Sequence, residues 1–190
     1  MIRKGIAAIF WRFSRWTLRN DPQPDVPRIL IGAPHTSNWD FVLMLAICWQ
    51  SGVSVKWLGK HTLFTSWRGP IMRALGGIPV NRDNPGRIVD EVLELQKKGS
   101  FSIAITPEGT RSARKQWKSG FYRIAQLSGL PITLGYVDRT TMTTGLGLTF
   151  NITGDPKTDM DVIRAFYADK SGFYPDRTTV PRLAIENQGR

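Results

Sequence analysis

RILIGAPHTSNWDFVLMLAICWQSGVSVKWL, residues 28–58, is the stretch on which the fold turns. Residues 28–33 read as a strand, 38–51 as a helix closed by Gly52, and 53–58 as a second strand. Toward the C-terminus the alternation continues. A helix containing Pro70 is predicted over 62–75, a short strand over 78–81, a helix over 85–98 with Gly99 at its end, and a strand over 101–106. Residues 120–128 read as a helix, 131–137 and 146–152 as strands, and 159–168 as a last helix before a Pro-containing tail. Alternating strands and helices predict an α/β protein with a mostly parallel central sheet flanked by helices. The sequence has no internal repeat and no low-complexity segment.

Before this body lies a Pro-rich linker, 21–27, and before that a basic amphipathic helix. On a helical wheel Ile2, Ile6, Ile9, Phe10, Phe13 and Trp16 share one face, while Lys4, Arg12, Arg15 and Arg19 line the other. Packing on the protein's own core is the ordinary fate of such a face. A wholly cationic polar face opposite bulky aromatics is instead the pattern of a helix lying in the interface of an anionic bilayer. Residues 1–19 are therefore expected to form a membrane-surface helix and residues 20–190 a single domain.

With 190 residues the chain has room for one complete core. Its 26 Lys and Arg against 15 Asp and Glu leave a formal charge of +11, a field that attracts nucleic acid, anionic lipid or anionic substrates. The 7 Trp and 9 Phe suit a lipid headgroup boundary and equally the stacking of unpaired bases. Cys48, the single cysteine, excludes an internal disulfide and sits in an apolar run, as a small buried hydrophobe in a reducing compartment does. The longest apolar run, 41–49, falls well short of the roughly 20 residues that span a bilayer. The apolar stretch 6–13 is broken by Arg12 with no small-residue cleavage site after it, so no signal peptide is read. The expected location is cytoplasmic, peripheral on the inner face of the cell membrane.

Three loops beyond strand ends carry chemistry, the usual place for it in such a sheet. In the first, His35 and Asp40 stand five residues apart, roughly 140° around a regular helix, so they meet only across a helix start. If His35 is in the loop and Ser37 or Asn38 caps the helix, Asp40 in the first turn reaches back to the imidazole. The carboxylate then fixes the ring tautomer and stabilises the imidazolium formed when His35 takes a hydroxyl proton. The plainer alternative is a capping acid beside a surface histidine. His61, the only other histidine, has no acid within ten residues on either side. In the loop 106–112, Gly109 permits a tight backbone and close approach of a ligand, and Arg111 offers a planar fork for phosphate. Glu108 reads as a turn residue or a functional acid. Arg114, Lys115 and Lys118 add a cationic mouth suited to a phosphate or a phosphopantetheine arm. Around 76–82, Arg82 closes a short strand, either solvated or placed to hold an anionic headgroup.

With these three segments in this order the sequence resembles the glycerolipid acyltransferase family that includes the bacterial 1-acylglycerol-3-phosphate acyltransferases. The resemblance covers about residues 30–138. His35 to Asp40 matches its His-x4-Asp block, Gly77 to Arg82 its Gly-rich strand ending in Arg, and Pro107 to Ser112 its Pro-Glu-Gly-Thr-Arg-Ser block. Residues 130–134 match an apolar, Pro-containing fourth block. The resemblance implies an acyltransferase domain over 20–190 that moves a fatty acyl group from acyl-CoA or acyl-ACP to a lysophospholipid hydroxyl. 1-Acylglycerol-3-phosphate is the implied acceptor and phosphatidic acid the product. It further implies direct attack without an acyl-enzyme, with His35 as general base, Asp40 orienting it, Arg82 and Arg111 on the acceptor phosphate, and Glu108, Gly109 and Thr110 shaping the acceptor site. No cofactor or metal is implied, and no nucleic-acid partner. Pro34 and Thr106 depart from the family pattern, which bears on the choice of acceptor. Two other readings are an acyltransferase using another lyso-lipid, and a non-catalytic basic module binding nucleic acid, for which no motif is found.

Overall fold

The computed structural model describes residues 2–80 and 85–187. Seven strands form one sheet: β1 (Thr17–Leu18), β2 (Ile29–Ala33), β3 (Val55–Lys60), β4 (Gly77–Val80), β5 (Ser102–Ile105), β6 (Ile132–Asp138) and β7 (Thr143–Phe150). Their spatial order is β1-β7-β6-β2-β5-β3-β4, and all pairings are parallel except β6 with β7. In β2, Ile29, Ile31 and Ala33 enter one core cluster and Leu30 the other. A strand apolar on both faces belongs in the middle of a parallel sheet covered on both sides, and β2 lies between β5 and β6.

The helices divide between the faces: α1 (Ile2–Phe13), α2 (Trp39–Gln50) and α3 (Arg68–Ala74) on one, α4 (Pro85–Lys97), α5 (Gly120–Ser128) and α6 (Pro156–Tyr167) on the other. Phe121, Tyr122, Met160 and Ile163 fill the second layer; Leu43, Ile47, Trp57 and Phe64 fill the first. Cys48 is buried and free, and burial pushes its thiol up to about 12. The linker 21–27 is tied down: Gln23 Nε2 donates to the carbonyls of Leu146 and Gly147, and the buried Arg28 guanidinium donates to those of Pro24 and Val26.

Three sequence expectations are corrected. The helix expected over 62–75 is a 3-10 turn, His61–Phe64, followed by α3. Ser66 sits between them at φ 60, and Gly69 lies so close to the Phe64 carbonyl that the two pieces cannot join as one straight helix. Pro70 then falls in the first turn of α3, where its missing N–H costs nothing. The N-terminal helix stops at Phe13, and Thr17 and Leu18 join the sheet against β7. The last strand starts at Thr143 and runs antiparallel, because the connection from β6 is a tight turn that reverses the chain.

In α1 the apolar side divides. Ala7 is fully buried, and Phe10 and Trp11 pack on the core beside α2, with Trp11 Nε1 donating to the Ala46 carbonyl. Ile2, Ile6, Ile9 and Phe13 face outward. Among the described residues no helix is long and apolar enough to cross a membrane.

Candidate active site

The parallel strands point their C-terminal ends the same way, so the loops after β2 and β5 lie side by side at one edge of the sheet. A cis Ala33–Pro34 peptide opens the first loop. His35 follows, its side chain 21% exposed, with Nδ1 3.1 Å from Oδ2 of Asp40. The ionised carboxylate only accepts, so Nδ1 carries the hydrogen and Nε2 keeps its lone pair. The two residues meet across the start of α2, as the spacing requires, and Ser37 caps it, its Oγ accepting the Trp39 N–H at 3.2 Å. Asn38 is itself helical and makes no side-chain cap bond. Asp40 reaches back from the first turn, and Oδ2 also accepts the backbone N–H groups of Thr36 and Ser37, each at 2.8 Å. One oxygen thus binds the base and clamps the loop that carries it.

Glu108 meets the same loop from the other side. Its side chain is 2% exposed, and Oε1 accepts the His35 backbone N–H at 2.7 Å. It is turned inward beneath His35. Burial, with a smaller push from Asp40, raises its carboxyl to about 7, against the downward pull of the His35 N–H and the Thr179 hydroxyl. Nothing in the sequence separates this acid from a solvent-facing turn residue; only the tertiary structure buries it.

Gly109 follows at φ +67, and a Cβ there would lie 2.9 Å from Cε of Lys118. Glycine therefore lets the lysine side chain lie across the loop. Thr110 is half-buried and Arg111 exposed, with Nη1 donating to the Asn38 side-chain carbonyl. That pair links the two loops at the mouth, a role for Asn38 that its reading as a candidate helix cap did not include. Arg82 lies outside the described residues; β4, which leads toward it, ends at Val80 beside Lys60 of β3. His61 is exposed at the start of the 3-10 turn. A shallow cavity of about 960 Å³ bordered by Leu93, Lys97, Phe101 and Leu127 opens at the opposite end of the strands, away from these groups. Among the described residues no cluster of three or more His, Cys, Asp or Glu is arranged to hold a metal ion.

A histidine with its Nδ1 held by a carboxylate, its Nε2 uncommitted and cations at the mouth is equipped to take a proton from a hydroxyl beside an anionic group. The acyltransferase family model matches residues 16–134, which include His35, Asp40 and the loop from Glu108 to Arg111, and the chain belongs to that family. In three dimensions it is similar to the 1-acyl-sn-glycerophosphate acyltransferase PlsC from Thermotoga maritima. The TM-score is 0.61 at 16% identity, over 86% of this chain and 75% of that one, a likeness of fold. No curated protein matches the sequence.

Proposed function

We propose that this acyltransferase moves a fatty acyl group from a thioester, acyl-CoA or acyl-ACP, to the hydroxyl of a lysophospholipid at a membrane surface. The acceptor to test first is 1-acylglycerol-3-phosphate, which would give phosphatidic acid. The observation that carries the reading is the 3.1 Å contact between His35 Nδ1 and Asp40 Oδ2 at a cationic mouth. His35 Nε2 takes the acceptor hydroxyl proton as the oxygen attacks the thioester carbonyl. Collapse of the tetrahedral adduct forms the ester and expels the thiolate, which recovers the proton from the imidazolium. Asp40 stabilises that imidazolium and holds the ring in the required tautomer. Arg111 supplies a bidentate fork for the acceptor phosphate, with Lys118 beside it and Arg82 as a further phosphate contact. Gly109 and Thr110 border the acceptor, and Glu108 acts through the backbone of His35.

The membrane partner is argued from the surface. Ile9 is 64% and Phe13 81% exposed on α1, and Trp39, Trp67 and Ile71 add exposed apolar area on α2 and around α3, the same side of the sheet. Arg3 Nη2 donates to the Ala74 carbonyl, tying α1 to α3, and Arg12, Arg15, Arg68 and Arg73 surround this area. Aromatics and aliphatics ringed by cations suit the headgroup region of an anionic leaflet. The protein is therefore read as peripheral on the inner face of the cell membrane.

The test is transfer of a labelled acyl group from acyl-CoA or acyl-ACP to lysophosphatidate in detergent micelles, comparing wild type with His35→Ala. A loss of about 10²-fold or more is expected. Full activity in the variant would remove His35 as the base. Wild type inactive on lysophosphatidate but active on another lyso-lipid would change the acceptor and keep the chemistry.

A further inference from the structure

The segment after α6 enters the site although no motif marks it. Ser171 N–H donates to Asp138 Oδ1 at 3.3 Å, and the Ser171 carbonyl accepts from Arg139 N–H at 2.6 Å. Tyr174 N–H donates to the buried Thr36 Oγ1 at 3.2 Å. Gly172 packs so closely that a Cβ there would lie 2.6 Å from that same oxygen. Further along, Trp117 N–H donates to the Arg182 carbonyl at 2.8 Å, and Thr179 Oγ1 accepts from Arg114 N–H at 3.0 Å. Residues 171–182 thus form a strap joined to both loops of the site. All of it lies beyond the stretch that the family comparison covers, which ends at residue 134.

Thr179 is where the strap joins the loop that follows Glu108, and its hydroxyl acts on the buried carboxylate. It is 4% exposed, its oxygen is engaged by Arg114, and its own proton remains to be donated. Beside it, Glu108 has one oxygen committed to His35 N–H, while Oε2 has no hydrogen-bond partner among the described residues. A buried acceptor without a donor is costly, and a neighbouring hydroxyl with a free proton is its natural complement.

We propose that Thr179 is a positioning residue for the general base: its hydroxyl donates to the Glu108 carboxylate and so secures the acceptor that holds the His35 N–H. This rests on the reading of His35 as base. The groups facing Glu108 are His35 and Asp40 from the α2 side, Tyr167 from α6 and Thr179 from the strap. Burial and the Glu108 charge raise the Tyr167 phenol well above its ordinary value, so it stays neutral and donates to the carbonyls of Ile31 and Gly135. Burial holds the carboxyl near 7, and the Thr179 hydroxyl lowers it. Without that hydroxyl the carboxyl is more protonated at neutral pH and accepts the His35 N–H less well.

The experiment uses the full chain as wild type, Thr179→Val and Thr179→Ser. The Glu108 carboxyl is titrated by carbon-13 NMR, its signal assigned by its loss in Glu108→Gln, and acyl transfer is followed as kcat/KM against pH. In the valine variant the Glu108 midpoint is expected to rise by about half a pH unit or more. The acid limb of kcat/KM should move the same way, with kcat falling and the acceptor KM little changed. Serine should restore both. An unmoved midpoint, or a moved midpoint with an unmoved kcat/KM profile, overturns the proposal. A wild type without transfer activity would sink the reading of His35 beneath it, and the NMR midpoints would still decide whether Thr179 governs Glu108.

Discussion

Asp40 Oδ2 accepts from His35 Nδ1 and from two backbone amides, so its substitutions separate chemistry from scaffolding. Asp40→Asn keeps an oxygen for the amides but not the charge, and kcat is expected to fall by about 10²-fold or more with little loss of fold. Asp40→Ala also orphans the Thr36 and Ser37 amides, which should cost roughly 1–3 kcal/mol of stability in urea titrations. Glu108 supplies a signature in pH. Its carboxyl, raised by burial from the ordinary 4.5 to about 7, binds a proton in the folded state that the unfolded chain has already lost between those values. Its contribution therefore falls as pH rises through that window and is constant above it. Glu108→Gln removes the dependence while keeping an acceptor for His35 N–H. Its stability relative to wild type should improve by up to about 3 kcal/mol from pH 5 to pH 8. An identical difference at both pH values would mean that the carboxyl is not titrating in this window.

Among the elements, α3 shows packing prevailing over propensity. By propensity alone Gly69→Ala in a helix gains about 1 kcal/mol. Here the added Cβ would sit 2.3 Å from the Phe64 carbonyl oxygen, a backbone atom that cannot swing aside. Net destabilisation of about 1–3 kcal/mol is expected. In a melting experiment that is a fall of about 2–4 °C per kcal/mol for a chain of this size. Such a close approach is invisible along residues 62–75, which is why they read as one helix. By contrast, α5 and α6 end and begin on local signals: Gly129 in the left-handed region after α5, and Asp155 accepting from the Thr158 N–H with Pro156 following. Those two helices were legible to within a few residues.

On the scale of the whole molecule, α1 both packs against the body and presents an apolar face outward, so deleting residues 1–19 would strip core and β1 along with the surface. The sharper test of membrane binding is Ile9→Ser with Phe13→Ser, two exposed positions. Co-sedimentation with phosphatidylglycerol-containing vesicles is expected to drop at least about tenfold, since each buried apolar side chain contributes about 1.5–3 kcal/mol. Leu148→Ser, exposed on β7, serves as the control and should bind as wild type does. Equal binding by both variants would remove α1 as the anchor.

The alternation of strand and helix, the loops that carry the site and the His35–Asp40 pair were all decided by sequence, because periodicity, helix boundaries and a five-residue spacing across a helix start are local properties. Tertiary structure alone decided which half of α1 is buried, that β7 reverses, that Glu108 turns inward to the His35 amide, and that a strap ending near Arg182 joins both loops of the site. These depend on groups up to 138 residues apart, such as Thr36 and Tyr174, meeting in one place. A chain's local pattern sets the elements, while burial and the pairing of buried polar groups are properties of the packed whole.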